Sequence, residues 1–225
     1  MTIVDNITAV REKIAQSAER SGRLASEISL IGVTKTRSPA EILEAAPFLD
    51  AIGENRVQEA VRKKPDCPGT PEWRLIGHLQ SNKARKALEI FDSIDSINSL
   101  RLAATLERIA AEQERVIPVL IGVNTAEDSK TGIPPEDFEE LLESVLDCPH
   151  LSLQGLMTIA PFTQDESEVR RAFAFLRDLT ERARASSGLP LPELSMGMSG
   201  DFEWAILEGS TMVRLGSVIF GERIG

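Results

Sequence analysis

SLIGVTKTRSPAEIL, residues 29–43, places a strand, a turn and a helix start side by side. Leu30-Ile31-Gly32-Val33 is a short apolar run bounded by polar residues, the pattern of a buried strand. Ser38-Pro39-Ala40-Glu41 is a capping box, with Ser at the N-cap, Pro at the first helical position and Glu at the third. It predicts a helix from 39 to about 46. A strand feeding straight into a helix is half of a βαβ unit, and Lys35 stands at the joint.

The same rhythm runs through the chain. Upstream, Ile3, Ile7, Val10 and Ile14 recur at three- and four-residue spacing, an amphipathic helix stopped at Ser21-Gly22. Downstream, the runs 50–55, 72–78, 91–97, 116–124, 152–159, 193–198 and 212–216 read as strands. Helical patterns separate them, including RVQEAVRKK, KARKALEI, a long helix capped at Asn98, EDFEELLESVL and EVRRAFAFLRDLTERARA. Counting the first, eight strands alternate with helices, which implies parallel strands joined by crossovers. A single TIM (β/α)8 barrel with an extra N-terminal helix fits that count in 225 residues. A doubly wound open sheet has the same periodicity. No repeat, low-complexity tract or linker divides the chain, so 1–225 reads as one domain with no second domain.

Composition narrows the partners. The formal net charge is −10, which works against nucleic acid or an anionic membrane surface because no cationic excess exists to neutralise phosphates. A small anion held by a few local donors is still allowed. No apolar run approaches the length of a membrane span, and the segment after Met1 lacks a signal-peptide core. The two cysteines, Cys67 and Cys148, make neither a disulfide framework nor a metal set, so a reducing, cytoplasmic setting is expected. His78 and His150 lie far apart with no ligand spacing around them, so no metal site is expected. There is no tyrosine.

In both architectures the functional residues gather at the C-terminal ends of the strands. Here those ends carry Lys35, Glu54-Asn55, His78, Asn124, Thr158, Met198-Ser199 and Gly216-Ser217. Lys35 has two readings: an amine desolvated enough to form a Schiff base with an aldehyde, or a lysine reaching solvent or pairing with Glu54. Ser199-Gly200 is either part of a backbone-lined phosphate cup or a tight turn with Ser199 as N-cap. Gly216 and Ser217 can complete such a cup, and Arg214 is then an inward charge in need of a partner; otherwise it is an edge arginine at the surface.

A lysine on the first strand, a phosphate cup after the last two and an arginine nearby together suggest pyridoxal 5′-phosphate (PLP). VTKT around Lys35, GENRVQEA (53–60), WRLIGHLQSNK (73–83), GLMTI (155–159), LSMGMSGDFEWAI (194–206) and GSTMVRLGSVIFG (209–221) carry a resemblance over essentially the whole chain. The sequence resembles the pyridoxal phosphate homeostasis proteins, the YggS/PROSC-type family, whose barrel is shared with alanine racemase and the other fold type III PLP enzymes. The resemblance implies that Lys35 bears PLP as a covalent aldimine. It implies that Ser199, Gly200, Gly216 and Ser217 hold the phosphate, that Arg214 faces the pyridine nitrogen, and that Asn55 and His78 lie near the pocket. Arg56 and Arg74 depart from the Tyr and His expected beside GEN and Trp73, which places the departures at the pocket rim.

The resemblance also implies the function: binding PLP and buffering or delivering it to apo PLP-dependent enzymes within vitamin B6 homeostasis. An arginine against the pyridine nitrogen keeps that nitrogen unprotonated and weakens the ring as an electron sink. The racemase-like alternative needs a second acid/base, which racemases take from a tyrosine on a further domain; with the chain ending at Gly225 and no tyrosine in it, a non-catalytic carrier with no catalytic residues is expected. A Schiff-base aldolase acting on a phosphorylated sugar fits less well, since barrel aldolases usually place their lysine on a middle strand. Without the racemase's second domain, a monomer is expected.

Overall fold

The computed structural model describes residues 2–126 and 132–221; the chain end and part of the loop after the fifth strand lie outside the described residues. Eight strands close into one parallel barrel in chain order: β1 (Ser29–Val33), β2 (Ala51–Glu54), β3 (Trp73–Leu75), β4 (Ser93–Ile97), β5 (Ile117–Gly122), β6 (Leu151–Met157), β7 (Glu193–Ser195) and β8 (Met212–Leu215). Closure comes from β8 pairing back onto β1, with Leu30 opposite Val213 and Gly32 opposite Leu215. The open sheet is thereby excluded, a choice that periodicity alone left open.

The helices alternate with these strands: α1 (Ile3–Arg20), α2 (Pro39–Ala45), α3 (Val57–Lys63), α4 (Ala84–Ile90), α5 (Leu100–Glu112), α6 (Phe138–Leu146), α7 (Glu166–Ser187), α8 (Phe202–Leu207) and the short α9 (Ser217–Phe220). The capping box at Ser38 forms as expected, its hydroxyl accepting the Glu41 amide while the Glu41 carboxylate accepts the Ser38 amide. One cap is corrected. Ser99, not Asn98, starts α5, because its hydroxyl accepts the Leu102 amide. Among the described residues no helix is long and apolar enough to cross a membrane.

Strand alternation divides the buried residues into two layers. One face of each strand, with Leu30, Ile52, Leu75, Val213 and Leu215 among its residues, packs under the helices in the main core. The other face points into the barrel, where Ile31, Ala51 and Met212 form a small separate cluster on three adjacent strands.

Charge fills much of the remaining interior. Arg74 on β3 is 3% exposed and donates through Nε to Asp95 of β4 at 2.8 Å, and its other nitrogens pair with Glu72 and with Glu193 at the start of β7. Ser93 completes the cluster by donating to Asp95. The expectation for Arg74 is therefore overturned: it belongs to the floor of the barrel and is absent from the pocket rim. A strand residue's depth depends on the stagger of its neighbours, and Arg74 sits opposite Gly53 of β2 and Ser93, the first residue of β4. Its guanidinium is buried, which works against the charge, but Asp95 and Glu193 outweigh the burial and raise its pKa.

Candidate functional site

A cavity of about 440 Å³ opens at the C-terminal ends of the strands. That size lies within the range usual for small-molecule sites. Lys35, Asn55, Ser199, Gly200, Arg214, Gly216 and Ser217 all line it, so segments from β1, β2, β7 and β8, nearly two hundred residues apart in the chain, meet in one place. Thr36, Arg37, Ile76, Ile159 and Met198, with Val33 and Gly221, complete the wall; of these only Met198 stands out in the sequence, as a strand end.

Arg214 is 4% exposed and points inward from β8, which excludes the surface reading. One terminal nitrogen donates to the Ser195 hydroxyl at 2.7 Å and the other to the Thr158 carbonyl at 2.7 Å. Among the described residues no carboxylate pairs with it directly. Burial pulls the guanidinium down to about 10, with Asp95 and Asp201 opposing, so it is cationic at neutral pH.

The loops after β7 and β8 are tied together by Ser199, whose Oγ accepts the Gly216 amide at 3.3 Å. Ser199 is not the N-cap of α8; Asp201 is, and its carboxylate turns back to accept the Met198 amide. Burial pushes the Asp201 carboxyl up. Gly200 lines the cavity, and a Cβ there would meet no protein atom within 4 Å. Packing within the chain therefore does not call for glycine at that position, whereas a ligand approaching the backbone would.

Around Lys35 the backbone is tightly held. Glu54, fully buried on β2, accepts the Thr34 hydroxyl at 2.7 Å and the Lys63 ammonium at 3.0 Å. The carboxylate expected as a partner for Lys35 is thus occupied by Lys63 of α3. Burial raises the Glu54 carboxyl despite these donors, and its Oε2 has no hydrogen-bond partner. Arg37 fixes the far side of the turn by donating to the Gly221 carbonyl and packing over the Phe220 ring.

Asn55 stands between this cavity and a smaller chamber of about 120 Å³ lined also by His78, Ser96, Asn98 and Thr158. The Oδ1 of Asn55 is buried without a hydrogen-bond partner. His78 is exposed and lines the smaller chamber, not the main cavity. Arg56 is exposed at the start of α3 and lines neither. His150 pairs with Glu107 at 2.7 Å, and Cys67 and Cys148 are free thiols whose pKa values burial raises. A groove of about 430 Å³ between α1 and α8 shares Ser199 and Gly200 but lacks the lysine and the buried arginine.

The chain has relatives. Residues 6–224 match the model of the alanine racemase N-terminal domain family. Pyridoxal phosphate homeostasis proteins of Aquifex aeolicus and Escherichia coli K12 are 39% and 42% identical, over 99% and 98% of this chain and 99% and 97% of theirs. The chain belongs to the pyridoxal phosphate homeostasis protein family. PipY of Synechococcus elongatus PCC7942, a structure with PLP bound, superposes on this member of the family with a TM-score of 0.83 at 38% identity, covering 92% of this chain and all of that one. An alanine racemase of Clostridium difficile 630 shares the fold with a TM-score of 0.74, but at 18% identity and over only 58% of its own length.

Proposed function

We propose that this chain binds PLP in the strand-end cavity, carries it covalently as a Schiff base on Lys35, and acts as a non-catalytic carrier in vitamin B6 homeostasis. The observation that carries the reading is the single cavity in which Lys35, a buried Arg214 and the loops after β7 and β8 converge. The residues suit the group chemically. PLP is an aldehyde with a phosphate and a ring nitrogen; the cavity offers one amine, backbone amides of two tied loops and, besides Arg37 in its wall, the buried guanidinium of Arg214. The orphaned Asn55 Oδ1 and the unhindered side of Gly200 are two features that the apo chain does not use and a bound ring and phosphate would. PipY, a relative at 38% identity, was solved with PLP bound.

When bound, PLP supplies an electrophilic carbon and an electron-withdrawing ring. The chain's own residues orient and retain it. Lys35 provides the amine, Ser199 and Gly216 hold the two loops at fixed spacing, and Arg214 presents a permanent donor to the ring nitrogen, leaving it without a proton. That arrangement suits retention more than carbanion chemistry. The names of the relatives, homeostasis proteins and not enzymes, favour the carrier reading, as does a sequence without the tyrosine that racemases use. The reading includes delivery to apo PLP-dependent enzymes, a cytoplasmic location consistent with two free thiols, and a monomer, since one barrel supplies every named wall residue.

The test is a visible spectrum of the purified protein with PLP, before and after borohydride, with peptide mapping of the reduced adduct. Label on Lys35, and its loss in Lys35→Ala with the fold intact, is the expected result. A protein that stays colourless and unlabelled in excess PLP would refute the reading. Amino-acid racemisation at a useful rate would move it to the enzyme alternative.

A further inference from the structure

Thr36, immediately after Lys35, has φ +67°, a left-handed conformation that a β-branched residue rarely adopts. Such a turn persists only where its surroundings hold it. Two charged residues on α3 do so. The Thr36 amide donates to Glu59 Oε1, and the Thr34 carbonyl, on the other side of Lys35, accepts from Lys63 Nζ at 2.7 Å. Glu59 and Lys63 are one turn apart on the helix and form an ion pair with each other. Lys63 also reaches the buried Glu54 at 3.0 Å. The turn is closed by its own backbone bond, the Arg37 amide donating to the Thr34 carbonyl at 3.0 Å, and the peptide groups before and after Lys35 are held in addition by one ion pair from outside the strand. Neither Glu59 nor Lys63 lines the cavity, so neither can touch what it holds.

We propose that Glu59 and Lys63 are positioning residues for Lys35: together they hold the left-handed turn that presents its amine to the cavity, and so set how completely the lysine captures an aldehyde there. The inference rests on the reading of Lys35 as the PLP-bearing residue. It assigns a reason to the spacing of acid and base in GENRVQEAVRK (53–63), which otherwise reads as an exposed helix face. Burial pushes the Glu59 carboxyl up, but the Lys63 ammonium and the Thr36 amide outweigh it and hold it below the usual range, so this carboxylate is ionised at neutral pH. A brace that acted on stability alone would have no need to grip the two peptide groups on either side of one residue. Glycine at 36 should make it dispensable, because glycine enters the left-handed region without steric cost.

The experiment compares Glu59→Ala, Glu59→Gln and the double variant Glu59→Ala/Thr36→Gly with the unmodified protein. Three quantities are read: the fraction of Lys35 captured by borohydride across a PLP titration, exchange of the residue-36 amide in PLP-free protein, and the thermal midpoint. Glu59→Ala is expected to need about tenfold more PLP for half capture, and to lose protection at that amide. Glu59→Gln, which keeps an oxygen for the Thr36 amide but gives up the ion pair with Lys63, should fall between Glu59→Ala and the unmodified protein, and the double variant should recover capture. Should Glu59→Ala not fold, Glu59→Asp, one methylene shorter, serves in its place with the same outcomes. Capture in Glu59→Ala equal to the unmodified protein, or a double variant no better than the single one, overturns the proposal. Failure of the reading it rests on looks different: the unmodified protein itself would give no adduct at Lys35. The proposal as stated would fall with it, whatever the amide exchange showed about the turn.

Discussion

Arg214 on β8 donates to the hydroxyl of Ser195 on the neighbouring β7 at 2.7 Å, inside the barrel and largely shielded from solvent. Its second bond goes to the Thr158 carbonyl, so a cation is fixed by two neutral acceptors. Ser195→Ala removes one of them. The expected cost is about 1.5–3 kcal/mol, the range for a hydrogen bond to a charged group, measured by urea unfolding. The absorption of bound PLP should also shift, in the direction produced by Arg214→Glu, which places a carboxyl where the guanidinium stood. An unchanged spectrum in Arg214→Glu would show that Arg214 does not face the ring.

Gly77 lies where β3 leaves the barrel, and a Cβ there would stand 2.3 Å from the Asn55 carbonyl oxygen and 2.7 Å from its Cα. Both contacts are backbone, so neither can swing aside. Gly77→Ala must shift the segment that carries Asn55 into the cavity wall, at an expected cost of about 1–3 kcal/mol. PLP affinity, followed by absorbance titration, should fall with it. Full retention of affinity would show that Asn55 contributes nothing to binding.

The barrel floor gives a prediction about stability alone. Asp95 is fully buried and Glu193 mostly so, and both depend on Arg74 for their charge. Arg74→Met should cost about 3–5 kcal/mol, because it leaves carboxylates buried without their cation. Adding Asp95→Asn and Glu193→Gln to Arg74→Met should recover much of that loss in urea unfolding. A mild effect of Arg74→Met alone would mean that water reaches the floor.

Glu54 supplies a pH dependence. Burial raises its carboxyl above the ordinary 4.5, so the folded chain holds this proton more tightly than the unfolded one. Its contribution is fully present below 4.5 and is lost as the pH rises through the raised folded value. Glu54→Gln, which cannot ionise and keeps an oxygen for Thr34 and Lys63, should therefore gain stability relative to the parent as pH rises across that window. Urea midpoints from pH 4 upward decide it. A variant that instead loses ground with rising pH would show that the charged pair with Lys63 stabilises the fold more than burial opposes it.

Much of this protein was legible before its structure. The eight strands and their helices followed from short β-branched runs, a capping box at Ser38 and the spacing of Ile3, Ile7, Val10 and Ile14, because these are local periodicities. Lys35, Ser199, Gly200, Arg214, Gly216 and Ser217 stood out because each sits at or just beyond the C-terminal part of a strand, where this topology gathers its functional residues, and the family resemblance added Asn55 and joined them into one set. The cap of α5 was misread by one residue, since Asn98 and Ser99 are equally good caps and only the hydroxyl's reach to the Leu102 amide chooses between them.

Other features depend on distances that no local pattern encodes. Whether Arg74 stood at the rim or the floor turned on the stagger of β3 against β2 and β4. Whether Glu54 faced Lys35 or Lys63 turned on how α3 packs back over β1 and β2. The positive φ of Thr36 carries no sequence signal, since threonine is a poor choice for it and the side chains that brace it lie more than twenty positions away. Local order of apolar and polar residues sets which segments become strands and helices, and so which residues arrive at one end of a barrel. Closure of the ring brings together groups far apart in the chain. Burial then decides which of their charges must be paired, and the pairs that form hold the turn around Lys35 in place.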